Sequence, residues 1–128
     1  MRLLLDTHAL IWWLLGDPAL SLDAKACIAD AGNEVFVSAA SGWEISTKYR
    51  IGKLRDAETF AGDVRAAVAS QGFDELPISL RDAQFAGQLP GGHRDPFDRM
   101  LVAQAILAEL TLVSNEAVFD RWPIRRLW

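Results

Sequence analysis

The sequence predicts an α/β protein in which a central, mostly parallel β-sheet lies between two layers of α-helices. Short apolar segments alternate along the chain with longer helix-like segments, and Gly or Pro residues separate many of them. Strands that alternate with helices pair in parallel, because each helix crosses one face of the sheet and returns the chain to the same end. No repeat or linker divides residues 1–128, so we expect a single domain.

The elements of the first half follow from local signals. The uninterrupted apolar run at residues 3–5 is typical of a strand that is buried on both faces. Gly16 and Pro18 stop the first helix, and Ser21 is a suitable N-cap for the second. The predicted elements are, in order, a strand over 3–5, helices over 7–15 and 22–32, a strand over 34–37, and helices over 39–51 and 57–71.

The second half contains the clearest helix signal of the chain. Asp95 and Pro96 form an N-cap followed by a first-turn proline, and between residues 100 and 110 only Gln104 and Glu109 are polar. We therefore expect this helix to be central and nearly surrounded. Ser79 opens the preceding helix with a sequence that resembles a capping box. The predicted elements are a strand over 75–78, helices over 80–89 and 96–110, and strands over 111–114 and 124–128.

Composition narrows the function classes and predicts the compartment. The 13 Lys and Arg residues against 17 Asp and Glu residues give a net charge of −4, which argues against nucleic-acid binding by bulk charge alone. Cys27 is the only cysteine, so an internal disulfide is impossible. Asp6 interrupts the amino-terminal apolar run, unlike in a secretory signal, and the apolar stretch over 10–15 is too short to cross a bilayer. We expect a cytoplasmic protein with no membrane contact.

Acidic residues follow or adjoin the predicted strand ends. Asp6 ends the first strand, Glu44 lies about one helical turn beyond the second, Asp95 and Asp98 begin the buried helix, and Glu116 follows the fourth strand. Open parallel sheets bind ligands beyond the carboxyl ends of their strands, so these acids are expected to meet. Carboxylates without Cys or clustered His favour Mg²⁺ or Mn²⁺, and such sites serve phosphoryl transfer.

Each acid also has a purely structural interpretation. Asp6 can cap the first helix, Asp95 can cap the buried helix, and Asp98 suits the positive end of that helix dipole. Glu44 can pair with Lys48, four residues later on the same helix face. Spacing alone leaves both interpretations of these acids open.

Longer motifs are more specific than the spacing of single acids. They are LLLDTHAL at 3–10, SAASGWEI at 38–45, HRDPFDRMLVAQA at 93–105 and LVSNE at 112–116. In this order and over essentially the whole chain, they resemble PIN-domain proteins, specifically the VapC-type toxins of bacterial type II toxin–antitoxin pairs. The resemblance implies a three-layer α/β/α PIN-like fold.

The resemblance also implies a function and a set of site residues. It implies an endoribonuclease toxin that cleaves RNA phosphodiester bonds by two-metal-type hydrolysis with Mg²⁺ or Mn²⁺. A cognate VapB-type antitoxin would inhibit it, and the toxin would form a homodimer within that complex. The metal acids correspond to Asp6, Glu44 and Asp98, with Asp95 ranked below Asp98. Glu116 stands where the family usually has Asp, which leaves a non-catalytic PIN scaffold that binds RNA or protein as the alternative.

Several residues around the acids are candidates for binding or positioning. Thr7 and Ser114 are expected to hydrogen-bond the acids or to cap the adjacent backbone. His8 and His93 flank the motifs, but a lone histidine more often packs or hydrogen-bonds than acts as a base, so neither is assigned a catalytic role. The candidates for RNA phosphate contacts, each also explained by a solvated charged face, are Lys48, Arg50, Lys53, Arg94 and Arg99.

Two adjacent tryptophans indicate a partner surface. Trp12 and Trp13 are consecutive on the first predicted helix, so their side chains diverge by about 100° and cannot both face one core. We expect at least one to be partly exposed. Burial of both sides of the helix between layers is the competing interpretation.

Overall fold

A single parallel sheet forms the centre of the protein. The computed structural model describes all residues from Met1 to Trp128. The sheet has the strand order β3-β2-β1-β4-β5, and all four strand pairs are parallel. Its strands are β1 (Arg2–Leu5), β2 (Glu34–Ser38), β3 (Asp74–Leu76), β4 (Thr111–Val113) and β5 (Arg125–Leu127). The predicted α/β class with a mostly parallel sheet is confirmed.

Six α-helices connect the strands. They are α1 (Thr7–Leu15), α2 (Leu22–Ala29), α3 (Ala39–Arg50), α4 (Val64–Ser70), α5 (Leu80–Gln88) and α6 (Pro96–Leu107). Each begins with a side chain that accepts a hydrogen bond from a first-turn amide, and these caps are Asp6, Ser21, Ser38, Asp63, Ser79 and Asp95. The predicted capping box at Ser79 is present, with Asp82 as its second member. None of the helices combines the length and the hydrophobicity of a membrane span.

Two apolar cores lie on opposite faces of the sheet and create the three layers. Alternate residues of β1 face opposite sides, so Leu3 and Leu5 belong to one core and Leu4 to the other. Helices α1 to α4 cover the first core, and α5 and α6 cover the second. All three leucines are fully buried. The three-layer α/β/α arrangement and the doubly buried first strand are confirmed.

The predicted helix over 57–71 is wrong in its first half. Residues Arg55–Thr59 form a short 3₁₀ helix, the chain turns, and Asp63 then caps α4. Ala57 and Phe60 lie buried in the core beneath α3, so tertiary packing of this segment prevails over its helical propensity. Another 3₁₀ helix, Ala117–Arg121, was not anticipated.

Several predicted elements extend beyond the observed ones, and for two of them the structure shows why. The second helix ends at Ala29 rather than 32. Strand β3 stops at Leu76 because Pro77 has no amide hydrogen for the ladder. Helix α6 stops at Leu107 rather than 110, because Glu109 adopts a left-handed conformation and the Leu110 amide returns to the Ala105 carbonyl. The left-handed residue at the end of a helix is usually Gly, and here it is Glu109, so no signal in the sequence marked the end of α6.

Candidate active site

The parallel topology brings the predicted acids to one edge of the sheet. Strand β1 lies between β2 and β4, so the segments that leave their carboxyl ends are neighbours. Asp6 directly follows β1, Glu44 lies on α3 behind β2, and Glu116 follows β4. Asp6 and Glu44 are each only 4% exposed, whereas the Glu116 side chain is 38% exposed. The site therefore has a buried floor and a more accessible rim.

Asp6 serves both the fold and the site. Its Oδ1 accepts a hydrogen bond of 2.8 Å from the amide of Ala9, which caps α1. Burial raises the pKa of this carboxyl above its ordinary value, and the negative charge of Glu116 adds to the effect. The Ser114 hydroxyl, the Ala9 amide and the charge of His8 oppose it without reversing it. The capping interpretation of Asp6 is confirmed, and the charge of Glu116 also acts on this carboxyl.

Glu44 is held by two partners from different directions. Thr7 Oγ1 lies 2.6 Å from Glu44 Oε1, and Lys48 Nζ lies 2.6 Å from Oε2. Thr7 Oγ1 also lies 3.0 Å from Ser41 Oγ. A hydroxyl has one hydrogen, so Thr7 donates to the carboxylate and accepts from Ser41. The predicted Glu44–Lys48 pair and the hydrogen bond from Thr7 to an acid are confirmed.

Sequence reasoning missed Ser41. The serine is fully buried and orients the hydroxyl of Thr7. Its place three residues before Glu44 puts it on the same helix face as that acid, and this spacing is the signal that would have identified it.

Asp98 carries the strongest electrostatic perturbation among the acids. It lies in the first turn of α6, and its side chain is 18% exposed. Burial raises its pKa to about 6; the charges of Asp95 and Glu116 add to this, and the hydrogen bond from His93 opposes it. His93 Nε2 lies 2.8 Å from Asp98 Oδ2. His93 is thus a hydrogen-bonding residue, as expected, but its partner is a site acid.

Asp95 is used mainly by the helix. Its Oδ1 accepts hydrogen bonds from the amides of Phe97 and Asp98 at 2.9 and 3.1 Å. The N-cap prediction is confirmed. One oxygen of Asp95 is thus committed to the cap, as Asp6 Oδ1 is at α1, and the ranking of Asp95 below Asp98 as a ligand stays a prediction.

Glu116 lies at the rim close to two of the other acids. Its charge raises the pKa of both Asp6 and Asp98. Its Oε1 lies 3.9 Å from His8 Nδ1, and its amide donates to Ser114 Oγ at 3.0 Å. The side chain makes no capping hydrogen bond to the 3₁₀ helix that follows. Glu116 is therefore placed as an edge residue of the acid cluster.

The five residues predicted as candidates for RNA phosphate contacts differ in their surroundings. Burial lowers the pKa of Lys48, but the hydrogen bond and charge of Glu44, with the charges of Asp95 and Asp98, outweigh it and raise the pKa overall. Lys48 is therefore the ammonium nearest the acid cluster. Arg50, Lys53 and Arg94 are exposed and form no ion pair, so they remain candidates.

The prediction for Arg99 is wrong. Its guanidinium donates to the backbone carbonyls of Ala86, Leu89 and His93, at 3.3 Å to Ala86 and 2.9 Å to His93. These bonds tie the end of α5 and the loop before α6 to the first turn of α6. Arg99 is a structural residue that holds the His93 loop against the site.

Both tryptophans of α1 are half-buried. Trp12 packs against Trp128 with ring centroids 5.7 Å apart, and Trp13 packs against Phe73 at 6.0 Å. Trp13 Nε1 also donates to Gln71 Oε1 at 3.0 Å. The expectation that at least one would be partly exposed is confirmed, although each also contacts the core.

The donor set suits a hard divalent cation, but the side chains do not converge on one point. Burial raises the pKa of the Asp6 and Asp98 carboxyls, and a cation would stabilise their charged forms. No group of three His, Cys, Asp or Glu side chains is close enough to hold a metal ion as the side chains stand. Lys48 holds Glu44, and His93 holds Asp98. A cation bound at these acids would compete with Lys48 for Glu44 and with His93 for Asp98.

The fold is similar to that of solved toxin–antitoxin structures. For VapBC2 from Rickettsia felis bound to a promoter DNA fragment, the TM-score is 0.69 at 18% identity, covering 99% of this chain and 98% of that one. A toxin–antitoxin complex from Klebsiella pneumoniae gives 0.68 at 19%, covering 98% and 95%. DNA-bound VapBC from Salmonella typhimurium gives 0.65 at 20%, covering 99% and 97%. At such identities the likeness concerns the fold.

Sequence similarity leads to the same family. Ribonuclease VapC16 of Mycobacterium tuberculosis is 35% identical over 79 residues, which are 59% of this chain and 55% of that protein. The chain thus matches little more than half of this relative. The family model described as PIN domain matches residues 3–124, which include all five site acids. Because this match extends over nearly the whole sequence, the protein belongs to the PIN domain family.

Proposed function

We propose that the protein is a VapC-type endoribonuclease toxin that hydrolyses RNA phosphodiester bonds with Mg²⁺ or Mn²⁺. The observation that carries the proposal is the gathering of Asp6, Glu44 and Asp98 at the carboxyl edge of a parallel sheet, with Glu116 at the rim. Burial, with smaller contributions from neighbouring carboxylates, raises the pKa of Asp6 and of Asp98, and a bound cation would offset both effects. The relative named ribonuclease VapC16 supports the same reaction class.

In this proposal the acids divide into a floor and a rim. Asp6, Glu44 and Asp98 would hold a first ion, and Glu116, with Asp95 beside Asp98, would contribute to a second. Bound divalent ions supply Lewis acidity, which makes water nucleophilic at neutral pH and neutralises charge on a phosphate. Glu116 is one methylene longer than the usual Asp, a difference of roughly 1.3 Å in reach, and this suits the rim better than the floor.

The surrounding side chains position the acids. The Ser41–Thr7 pair orients Oε1 of Glu44, and His93 orients Oδ2 of Asp98. Lys48 pairs with Glu44 in this structure, and a metal ligated by Glu44 would leave Lys48 available for an RNA phosphate. Neighbours that hold ligating groups are typically needed for full metal affinity, because they restrict the ligands to productive orientations.

The proposed biological setting is the cytoplasm, within a toxin–antitoxin pair. Solved structures with this fold are described as VapBC or toxin–antitoxin complexes. We propose a VapB-type antitoxin as partner and a toxin homodimer within the complex. The half-buried Trp12 borders a groove between α1 and the segment that follows α3, and this groove offers such a partner apolar contacts at Ile11 and Leu54 beside charged groups at Lys53 and Asp56.

A cleavage assay tests the function directly. Fluorescently labelled RNA is incubated with the wild-type protein in Mn²⁺, in Mg²⁺ and in EDTA. Cleavage is expected only with a divalent metal, and Asp98→Asn should abolish it. Glu34→Gln is the matched control, because Glu34 is an exposed acid at the opposite, amino-terminal end of the sheet.

The competing function is a non-catalytic PIN scaffold. Two observations favour it: Glu116 replaces the usual Asp, and Lys48 holds Glu44 in a site where three ligands do not yet converge. Binding of RNA without cleavage in either metal would establish the scaffold and reject the nuclease. Metal-dependent cleavage that survives in Asp98→Asn would instead reject the assignment of the site.

A further inference from the structure

An exposed aromatic pair lies beside the acid cluster and has no role in the mechanism above. Trp43, on α3, is 65% exposed and immediately precedes the buried Glu44. Its ring contacts that of Phe97 edge to face, with centroids 5.0 Å apart and an interplanar angle of 78°. Phe97 lies in the first turn of α6 and immediately precedes Asp98. Helices α3 and α6 therefore each carry a site acid and, one residue before it, an aromatic ring.

Core packing does not account for the position of Trp43. Tryptophan is highly buried on average, and leaving its large apolar surface in water is unfavourable. Neither Trp43 nor Phe97 belongs to either apolar core. Packing of the interior therefore does not explain why the Trp43–Phe97 pair lies at the surface.

The surroundings of Trp43 do not resemble a protein-binding patch. Its neighbours along the exposed face of α3 are Ala39, Ser46 and Thr47, which are small or polar. A stable protein interface buries about 800 Å² on each partner around an apolar centre. The Trp43–Phe97 pair, with small or polar residues around Trp43, is too small to supply such a centre.

An RNA strand at this site needs attraction that does not depend on charge. The chain has a net charge of −4, and the acid cluster repels phosphates until cations neutralise it. An aromatic face binds a nucleobase by stacking, whatever the sign of the local potential. Exposed Arg94, next to Asp95 in the chain, adds a cation just before α6.

We propose that the Trp43–Phe97 pair is a base-binding platform on which an unpaired nucleobase stacks while the adjacent phosphate lies at the acid cluster. This inference rests on the proposed ribonuclease function and deepens it, because it specifies the form of RNA that is accepted. Bases in a continuous duplex are stacked on each other and offer no free face, so the platform selects single-stranded segments, loops or bulges.

The test measures RNA affinity in the absence of cleavage. Trp43→Ala and Trp43→Phe are each combined with Asp98→Asn, and binding of a labelled single-stranded RNA is followed by fluorescence anisotropy. Tyr49→Ala is the matched control, because Tyr49 is an exposed aromatic residue on the same helix. We expect roughly 5- to 100-fold weaker binding for Trp43→Ala, in line with the loss of one stacked base. The loss should be smaller for Trp43→Phe, and Tyr49→Ala should match its parent.

Abasic nucleotides make the test specific for stacking. A single abasic position is moved along the RNA, and at the contacted position the effect of Trp43→Ala should vanish, because the base and the ring are partners in one interaction. An equal effect of Trp43→Ala at every abasic position would overturn the platform. So would unchanged RNA affinity accompanied by dissociation of a dimer in sedimentation velocity, which would make Trp43 a subunit contact.

Cleavage by proteins with an intact Asp98 separates this inference from the function on which it rests. A wild-type protein that cleaves no RNA in Mn²⁺ would count against the ribonuclease itself. An active wild type whose KM for single-stranded RNA is unchanged by Trp43→Ala would reject only the platform. The expected result is a raised KM with a nearly unchanged kcat, because the platform binds substrate away from the reacting atoms.

Discussion

Replacing Asp98 with Asn is expected to stabilise the metal-free protein at neutral pH. Burial, with the nearby charges of Asp95 and Glu116, raises the pKa of Asp98 from 3.8 to about 6. The ionised form is therefore disfavoured in the folded state by roughly two pKa units, which corresponds to about 3 kcal/mol at most. Asn keeps the shape of the side chain and an acceptor oxygen for His93, so the substitution removes mainly the charge.

Two effects reduce this gain. A carboxylate in the first turn of α6 interacts favourably with the helix dipole by about 0.3–1 kcal/mol, and Asn loses this interaction. Solvent also screens the charge, since the side chain is 18% exposed. We expect a net gain of about 1–2 kcal/mol, which corresponds to a rise of about 4–8 °C in Tm for a chain of this length.

The gain has a defined pH dependence. Between pH 3.8 and about 6, folded wild-type protein retains a proton on Asp98 that the unfolded chain has released. Wild-type stability therefore falls as the pH rises through this window. Asp98→Asn lacks this titration, so its advantage should be full above pH 7 and should shrink toward zero near pH 4. Asp6, whose pKa is also raised, contributes the same slope to both proteins.

Thermal unfolding in EDTA measures the effect between pH 4 and pH 7.5, with Glu34→Gln as the control for the loss of an exposed charge. Adding Mn²⁺ should reverse the order at neutral pH, because a ligand that binds the folded state stabilises it by mass action. An Asp98→Asn protein that is less stable than wild type in EDTA at pH 7.5 would refute the reasoning. It would mean that the carboxylate is well accommodated without a cation.

Three further predictions concern the neighbouring side chains. Lys48→Met should lower Tm in EDTA, because Glu44 stays buried without its counter-charge, and Mn²⁺ should recover a larger part of Tm than in wild type. Glu116→Gln should increase the Mn²⁺ concentration that half-maximal cleavage requires, whereas Glu116→Asp should keep or improve activity; superimposable metal titrations would place Glu116 outside the site. Asp95→Ala should cost about 1 kcal/mol of stability through loss of the α6 cap, measured by urea unfolding. Asp95→Ser should recover that stability and retain more cleavage than Asp98→Asn.

Much of the architecture was predictable because its signals are local. The doubly buried strand at Leu3–Leu5 is visible as an uninterrupted apolar run, and Asp95-Pro96 marks the start of α6. Strands that alternate with helices specify a parallel sheet, and parallel strands end at a common edge. The grouping of Asp6, Glu44, Asp98 and Glu116 follows from this topology before any side chain is placed.

Boundaries were less predictable where packing prevails over local preference. Residues 57–61 have helical propensity, but burial of Ala57 and Phe60 leaves 57–59 in a 3₁₀ helix and 60–61 in the turn that follows it. Helix α6 ends at a left-handed Glu109 rather than at a glycine. The first is decided by burial against the rest of the core, and the second by a left-handed backbone conformation at a position where the sequence has no glycine.

The sequence by itself determined which acids lie at the carboxyl edge of the sheet, and the tertiary structure decided what each neighbouring side chain does. The Thr7–Glu44 hydrogen bond joins residues 37 apart in the chain, and its geometry depends on how α1 packs against α3. Arg99 has the same charge and motif position whether it contacts RNA phosphate or supports the fold. Only its hydrogen bonds to backbone carbonyl oxygens show that it supports the fold. Side-chain hydrogen bonds of this kind form only within a narrow range of donor–acceptor distances, and the distances between separate elements are set only when the elements pack together.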